Sequence, residues 1–199
     1  MINMNRAEQI VSVAHRLMLE RGYSAFSYAD IADVIGIQKA SIHYHFPSKD
    51  NLVQKVVQHY RGGVRSNLSQ LDSLTDDPRK KLEHYLNYWN ACLQDKAIDI
   101  CLCAQLASEI PILPEEVRGE VQAHFQELTG WIANLLREAS EAKQYERSGR
   151  SFEEDAAMIL AAVHGGMLAA RTFNDGTQFQ AISSQILDQL NAARSGKEK

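Results

Sequence analysis

From Gly36 the chain runs Ile37-Gln38-Lys39-Ala40-Ser41-Ile42-His43-Tyr44-His45-Phe46-Pro47-Ser48-Lys49-Asp50-Asn51-Leu52. Within this stretch one helix has stopped, a second begins and ends, and a third starts. Gly36 is a helix stop, because it enters the left-handed region without the steric cost of a Cβ. Gln38 to His45 can form a short helix that ends before Pro47. Ser48 then caps a longer helix, with Asp50 in the first turn where the positive helix end favours a carboxylate. Upstream, Ser27 caps a helix through about Val34, with Asp30 three residues on in capping-box position. Two short helices across a tight turn form a helix-turn-helix, the arrangement that lays a second helix into a DNA major groove. Ile31, Ala32, Ile35, Ile37 and Ile42 are apolar at the positions that hold the two helices together.

The polar residues of this segment suit a phosphate-lined groove. Ser27, Tyr28, Gln38, Ser41, Tyr44 and Lys49 carry donors for phosphate oxygens, and His43 and His45 donate in suitable tautomers. Ala40 is small enough for close backbone approach. Lys49 follows the Ser48 cap, at a helix start that itself attracts anions. Gln38 can bond an adenine edge, Lys39 a guanine or a phosphate, and His43 is a further candidate for a base edge. The plainer alternative is a solvated helical hairpin with ordinary polar residues. A shared metal site for His43 and His45 is disfavoured, since helix positions two apart point about 200° from one another.

Charge follows the same division. Residues 1–65 hold eight of the 21 Lys and Arg and five of the 25 Asp and Glu, a net of +3 within a chain of net −4. A slightly basic head on an acidic body suits a head that faces an anion. The acidic total excludes a generally polycationic nucleic-acid coat.

Beyond the head, helical periodicity continues. Ile10, Ala14, Leu17 and Met18 precede a stop at Gly22. Leu52, Val53, Val56, Val57, Tyr60 and Val64 form a stripe in which Gly62-Gly63 is a plausible hinge. Asp76-Asp77-Pro78 reads as a helix start for Leu82, Tyr85, Leu86, Trp89 and Leu93. A short apolar helix covers about Ile100 to Ser108. Val117 to Leu135 marks a long amphipathic helix from near Pro114, and Ser151-Phe152-Glu153-Glu154 opens another that runs to about Phe173. A last helix starts near Thr177, before a polar tail from Arg194 to Lys199. No alternating β-branched run competes, so the fold class is all-α.

At 199 residues the chain can bury a sizeable core, and 11 Gly with 4 Pro argue against disorder and a turn-rich β fold. Three cysteines, Cys92, Cys101 and Cys103, are too few for a disulfide framework. The start shows no basic segment followed by an apolar core, so no secretion signal is expected. The uncharged stretch Ala156–Ala170 falls short of the roughly 20 residues that span a bilayer. These features predict a soluble, cytoplasmic protein without a membrane partner, cofactor or metal.

Gly22-Tyr23, Ile31-Ala32 and the run from Gly36 to Leu52, with His45-Phe46-Pro47-Ser48-Lys49 in register, resemble the DNA-binding signature of the TetR family. The resemblance is strong over about residues 8–60 and, by length and helix order, covers the chain. It implies a three-helix DNA-binding head at residues 1–50. A helical ligand-binding and dimerisation domain would follow at 51–199. It further implies a homodimer, usually a repressor, in which the helix from Gln38 to Tyr44 reads a double-stranded operator. Many members carry Ser-x-Gly-Thr/Ser-Leu-Tyr where this chain has Gln38-Lys39-Ala40-Ser41-Ile42-His43, so the base sequence read does not transfer.

Cys101-Leu102-Cys103-Ala104-Gln105-Leu106-Ala107-Ser108-Glu109 resembles the Cys-x-x-x-x-Leu-x-x-Glu segment of the subgroup that includes the N-ethylmaleimide repressor. That resemblance makes Cys101 a candidate electrophile or redox sensor, with Cys103 additional and Arg171 standing where the subgroup carries Lys. The plainer reading is two small buried hydrophobes. A ligand pocket would draw its walls from Tyr85, Tyr88, Trp89, Cys92, Cys101, Phe125, Trp131, Met158, His164 and Met167, a lining suited to an apolar small molecule. Ala156, Ala157, Ala161, Ala162, Gly165, Gly166, Ala169 and Ala170 would let a partner helix approach closely. The expected function is a regulator released from DNA by such a ligand or by thiol modification. A helical thiol enzyme, for which no triad is recognisable, and a DNA-free adaptor are the alternatives.

Overall fold

A computed structural model describes residues 5–94, 100–145 and 149–190. Among them all regular structure is helical: α1 Arg6–Arg21, α2 Tyr28–Ile35, α3 Lys39–His45, α4 Lys49–Leu74, α5 Pro78–Cys92, α6 Leu102–Ala107, α7 Glu115–Glu141, α8 Phe152–Phe173 and α9 Thr177–Gln189, with a 3-10 turn at Ile110–Ile112. The polar tail read from the sequence lies outside the described residues.

The ends of these helices follow local chemistry. Capping boxes form at Asn5 with Glu8, Ser27 with Asp30 and Ser151 with Glu154, each side chain satisfying a helix-start N–H that has no partner within the helix. Asp77 caps α5 ahead of Pro78. The hinge expected at Gly62-Gly63 is not seen, because α4 continues unbroken from Lys49 to Leu74. Two interior glycines cost about 1 kcal/mol each relative to alanine. Packing of Val53, Val56 and Val57, all fully buried, offsets that cost.

The chain forms two compact units, Met1–Val64 with Leu102–His124, and Arg65–Cys101 with Phe125–Lys199. In the first, Ile10, Ala14 and Met18 of α1, Ile31 of α2, Ile42 of α3 and Leu52 and Val53 of α4 are buried, joined by Leu102 and Leu106 of α6 and Val117 of α7. Arg61 and Glu120 form an ion pair here, with Gln58 bonding the same carboxylate at 2.9 Å. His124 is buried beside Tyr60, ring centroids 5.5 Å apart, a packing role for a histidine isolated in sequence.

In the second unit Leu82 and Leu86 of α5, Leu93 just after it, Ile132 and Leu136 of α7, Val163 and Met167 of α8 and Phe179 of α9 are buried as the core. The small residues of α8 divide between two faces. Ala156, Gly166 and Ala170 are buried within the chain, Gly166 against Phe179 and Ile182 of α9. Ala157, Ala161, Gly165 and Leu168 are exposed on the other side. At 22 residues α8 is by length and composition apolar enough to cross a membrane, so the shortness of its uncharged stretch is no bar. A core helix apolar on two faces has the same composition.

Candidate nucleic-acid interface

α2 is held at both ends. Ser27 Oγ accepts from Ala29 N at 3.2 Å, while Asp30 takes the Ser27 N–H at 2.7 Å and the Ser27 hydroxyl at 2.6 Å. These bonds hold the half-buried Asp30 carboxyl below its ordinary value of 3.8, with Arg21 at 3.1 Å adding a smaller pull. At the other end Gly36 adopts φ 73° and ψ 42°, and both its N–H and that of Ile37 close on the Ala32 carbonyl. A side chain at 36 would be strained by that φ, which is why a glycine forms the turn.

α3 is then projected from this turn. Gln38 caps it with backbone alone, which leaves its amide side chain unused by the helix. Of the helix residues only Ile42 is buried. Lys39, Ala40, Ser41, His43, Tyr44 and His45 are all exposed, Tyr44 by 85%. The Tyr44 ring meets the neighbouring His45 ring edge-on at 5.2 Å, and its exposed hydroxyl and outer face can act as donor and flat contact. His43 sits edge-on to Tyr28 at 4.8 Å, with its Nδ1 3.4 Å from the Pro47 carbonyl, so its Nε2 is the nitrogen turned to other partners. The Gln38, Lys39, Ala40, Ser41, His43, Tyr44 and His45 side of the expected site is thus brought together on one presented helix, with Ser27 exposed at the start of α2.

Tyr28 and Lys49 do not join it. Tyr28 is buried, its hydroxyl donating to the Phe46 carbonyl at 2.9 Å, and burial pushes its pKa up to about 12. The Lys49 ammonium donates to the Phe26 carbonyl at 2.6 Å and lies over the rings of Tyr23 at 4.7 Å and Phe26 at 4.3 Å. Partial burial lowers its pKa, against the pull of Glu109, Asp50 and Asp30. Both hold the α2–α3–α4 junction in shape, where a phosphate contact was expected. Arg6, which the sequence reading does not single out, borders α3. It lines a concavity of about 450 Å³ with Ile37, Ala40, Ser41, Tyr44 and His45. A sequence signal did exist: Arg6 is a cation in the first turn of α1, where the helix dipole opposes it.

The body candidates scatter more. Tyr85, Trp89, Cys101, His164 and Met167 are buried, while Cys92, Phe125 and Trp131 are half-buried. The Tyr85 ring lies tilted against Trp131 at 5.6 Å, and His164 meets Phe125 edge-on at 5.0 Å. Tyr88 and Met158 are exposed by 54% and 43% and line no interior space in the single chain. The Cys101 and Cys103 side chains are buried almost completely.

Residues 10–56 match the model of bacterial regulatory proteins of the tetR family, and residues 72–186 match the tetracyclin repressor-like C-terminal domain. A TetR-family transcriptional regulator from Agrobacterium tumefaciens superposes with a TM-score of 0.90 at 41% identity, over 94% of this chain and 97% of that one. The HTH-type transcriptional repressor DhaR of Mycobacterium sp. (strain GP1) is 24% identical over 81% of this chain and 80% of its own. Reduced NemR of E. coli shares the fold, with a TM-score of 0.79 at 18% identity over 92% of this chain and 95% of that one. With a signature helix-turn-helix at its front and matching family models over both parts, the chain belongs to the TetR family of bacterial transcriptional regulators.

Proposed function

We propose that the protein is a dimeric repressor whose paired α3 helices read two operator half-sites about 34–36 Å apart. The observation that carries this is α3 itself, a helix that spends one residue on the core and presents the rest. Gln38, Lys39 and His43 would face base edges, while Ser27, Ser41, Tyr44, His45 and Arg6 would face phosphates. Functionally, residues 1–50 are the head and residues 51–199 the effector and dimer part. Repression is favoured by the name of the relative DhaR. Dimerisation is supported by the exposed face of α8, where Ala157, Ala161, Gly165 and Leu168 recur at helical spacing beside an exposed Phe173. Association through α8 and α9 of two copies would make a four-helix contact. The protein would act in the cytoplasm, with no membrane partner and no catalytic role.

The effector reading rests on Tyr85 and Trp89. Their hydroxyl and indole N–H are buried, and neither makes a hydrogen bond of ordinary geometry. Burial and the nearby Cys101 raise the Tyr85 pKa, so the group remains an O–H. The indole N–H lies near the phenol, yet the pair has two donors and at most one acceptor of its own. One donor is therefore in surplus, at a cost of about 1–3 kcal/mol. A small apolar molecule carrying one acceptor oxygen would relieve it. Thiol modification at Cys101 or Cys103 stands second, since both sulfurs are buried.

Selection of duplexes from a random pool by the full-length chain tests the DNA reading. A specific complex that weakens steeply with salt is the expected result. Gln38→Ala should relax preference at one base position by about 1–3 kcal/mol. Failure to select any duplex overturns the proposal. For the effector, Tyr85→Phe should lower sensitivity to an acceptor-bearing inducer, whereas loss of response in Cys101→Ser alone would restore the thiol reading.

A further inference from the structure

Glu109 follows α6, far in sequence from the head, yet its carboxylate accepts from the Tyr23 N–H at 2.7 Å, the Ser24 N–H at 3.1 Å and the Ser24 hydroxyl at 3.0 Å. All three donors belong to the turn that leaves α1 and leads into α2. Gly22 makes the room. It ends α1 at φ 79°, and a Cβ there would lie 2.3 Å from Glu109 Oε1. Glu109 is itself held by its backbone. Its N–H bonds the Leu106 carbonyl at 2.9 Å, and its carbonyl takes the N–H groups of Ile112 and Leu113. The carboxylate thus stands on a stalk fixed to the end of α6, and α6 buries Leu102, Cys103 and Leu106.

The other side of the same turn is fixed within the head. Lys49 bonds the Phe26 carbonyl, and Tyr23 donates to Asp50 at 2.7 Å. Burial, then that bond to Asp50, and the fields of Asp50 and Glu109 push the Tyr23 pKa up to about 12. A carboxylate held against a DNA-binding head works against DNA affinity electrostatically. A geometric role outweighs that penalty only if the clasp sets where α2 and α3 lie.

We infer that Glu109 is a positioning residue for DNA binding: it clasps the Gly22–Ser24 turn to the end of α6, and so fixes where that turn delivers α2 and, through it, α3. This rests on the DNA-reading role proposed for α3.

The test uses the full-length chain and a duplex it has selected, alongside copies of that duplex with one base pair added or removed between half-sites. Glu109→Gln should weaken binding to the native spacing about tenfold while leaving the salt slope unchanged, since no phosphate contact is lost. It should also narrow the preference for native spacing over the altered spacings, which a mere loss of stability would not do. Amide exchange at Tyr23 and Ser24 should accelerate. Gly22→Ala should weaken binding more in the wild-type background than in Glu109→Ala, because only the former has a carboxylate to displace. Unchanged or tighter binding by Glu109→Gln, with spacing preference intact, overturns the inference. If the wild-type chain selects no duplex, the DNA reading falls on its own, and unchanged exchange at Tyr23 and Ser24 in Glu109→Gln overturns the clasp independently.

Discussion

α3 and α8 are both helices with a face turned to solvent, and the two faces differ in kind. α3 buries Ile42 alone and exposes Lys39, Ser41, His43, Tyr44 and His45, a set of donors with one small residue, Ala40. α8 buries a broad face and exposes along its middle Ala157, Ala161, Gly165 and Leu168, a stripe of small and apolar residues. A surface of exposed donors suits an anion, and a surface of small apolar residues suits another helix backbone. What a helix withholds from its own core thus says what kind of partner completes it.

The largest expected effect breaks the α8 side of this contrast. Gly165→Glu places a charge on the exposed small-residue face, and light scattering should then report a monomer. Loss of paired half-sites should weaken operator binding by about 10²–10⁴-fold. A persistent dimer would show that this face is not the one that pairs. On the α3 side, Ile42→Ala removes the helix's one anchor and should cost about 2–4 kcal/mol of stability by denaturant titration. Tyr44→Ala should do the opposite. Stability should stay within about 0.5 kcal/mol, as for other exposed sites. DNA affinity should fall by about 1.5 kcal/mol, the lower end for a hydrogen bond to a charged group.

The smallest effect sharpens the account of how α3 is presented. The Asp30 carboxyl is held below its ordinary value by Ser27, so its folded form binds protons less readily than its unfolded form. Its contribution is present above pH about 4 and is lost as pH falls through the depressed value. Asp30→Asn should flatten that part of the acid limb in a thermal melt series, and an unaltered limb would remove Asp30 from the presentation of α2.

Legibility divided along the range of the interactions involved. Ser27 with Asp30, Ser151 with Glu154, Asp77 before Pro78, and Gly36 all act within four residues, and each marks in the structure the helix end it marks in the sequence. The inward turn of Tyr28 and Lys49 was not legible, because donors suited to phosphate are equally suited to a carbonyl. The choice lay with Phe46 and Phe26, whose carbonyls needed those partners. Gly62-Gly63 misled for a related reason: local propensity favoured a break, and burial of the neighbouring valines decided otherwise.

The amino-acid sequence by itself determined an all-helical chain, a helix-turn-helix near its front and membership of a regulator family, since periodicity, caps and motif register are written in neighbouring residues. Only the tertiary structure decided which α8 small residues face the core, that Arg6 borders α3, and that Glu109 reaches Tyr23 and Ser24. Those facts depend on segments brought together by packing. A hydrogen bond between residues some 85 positions apart leaves no periodic trace in one chain.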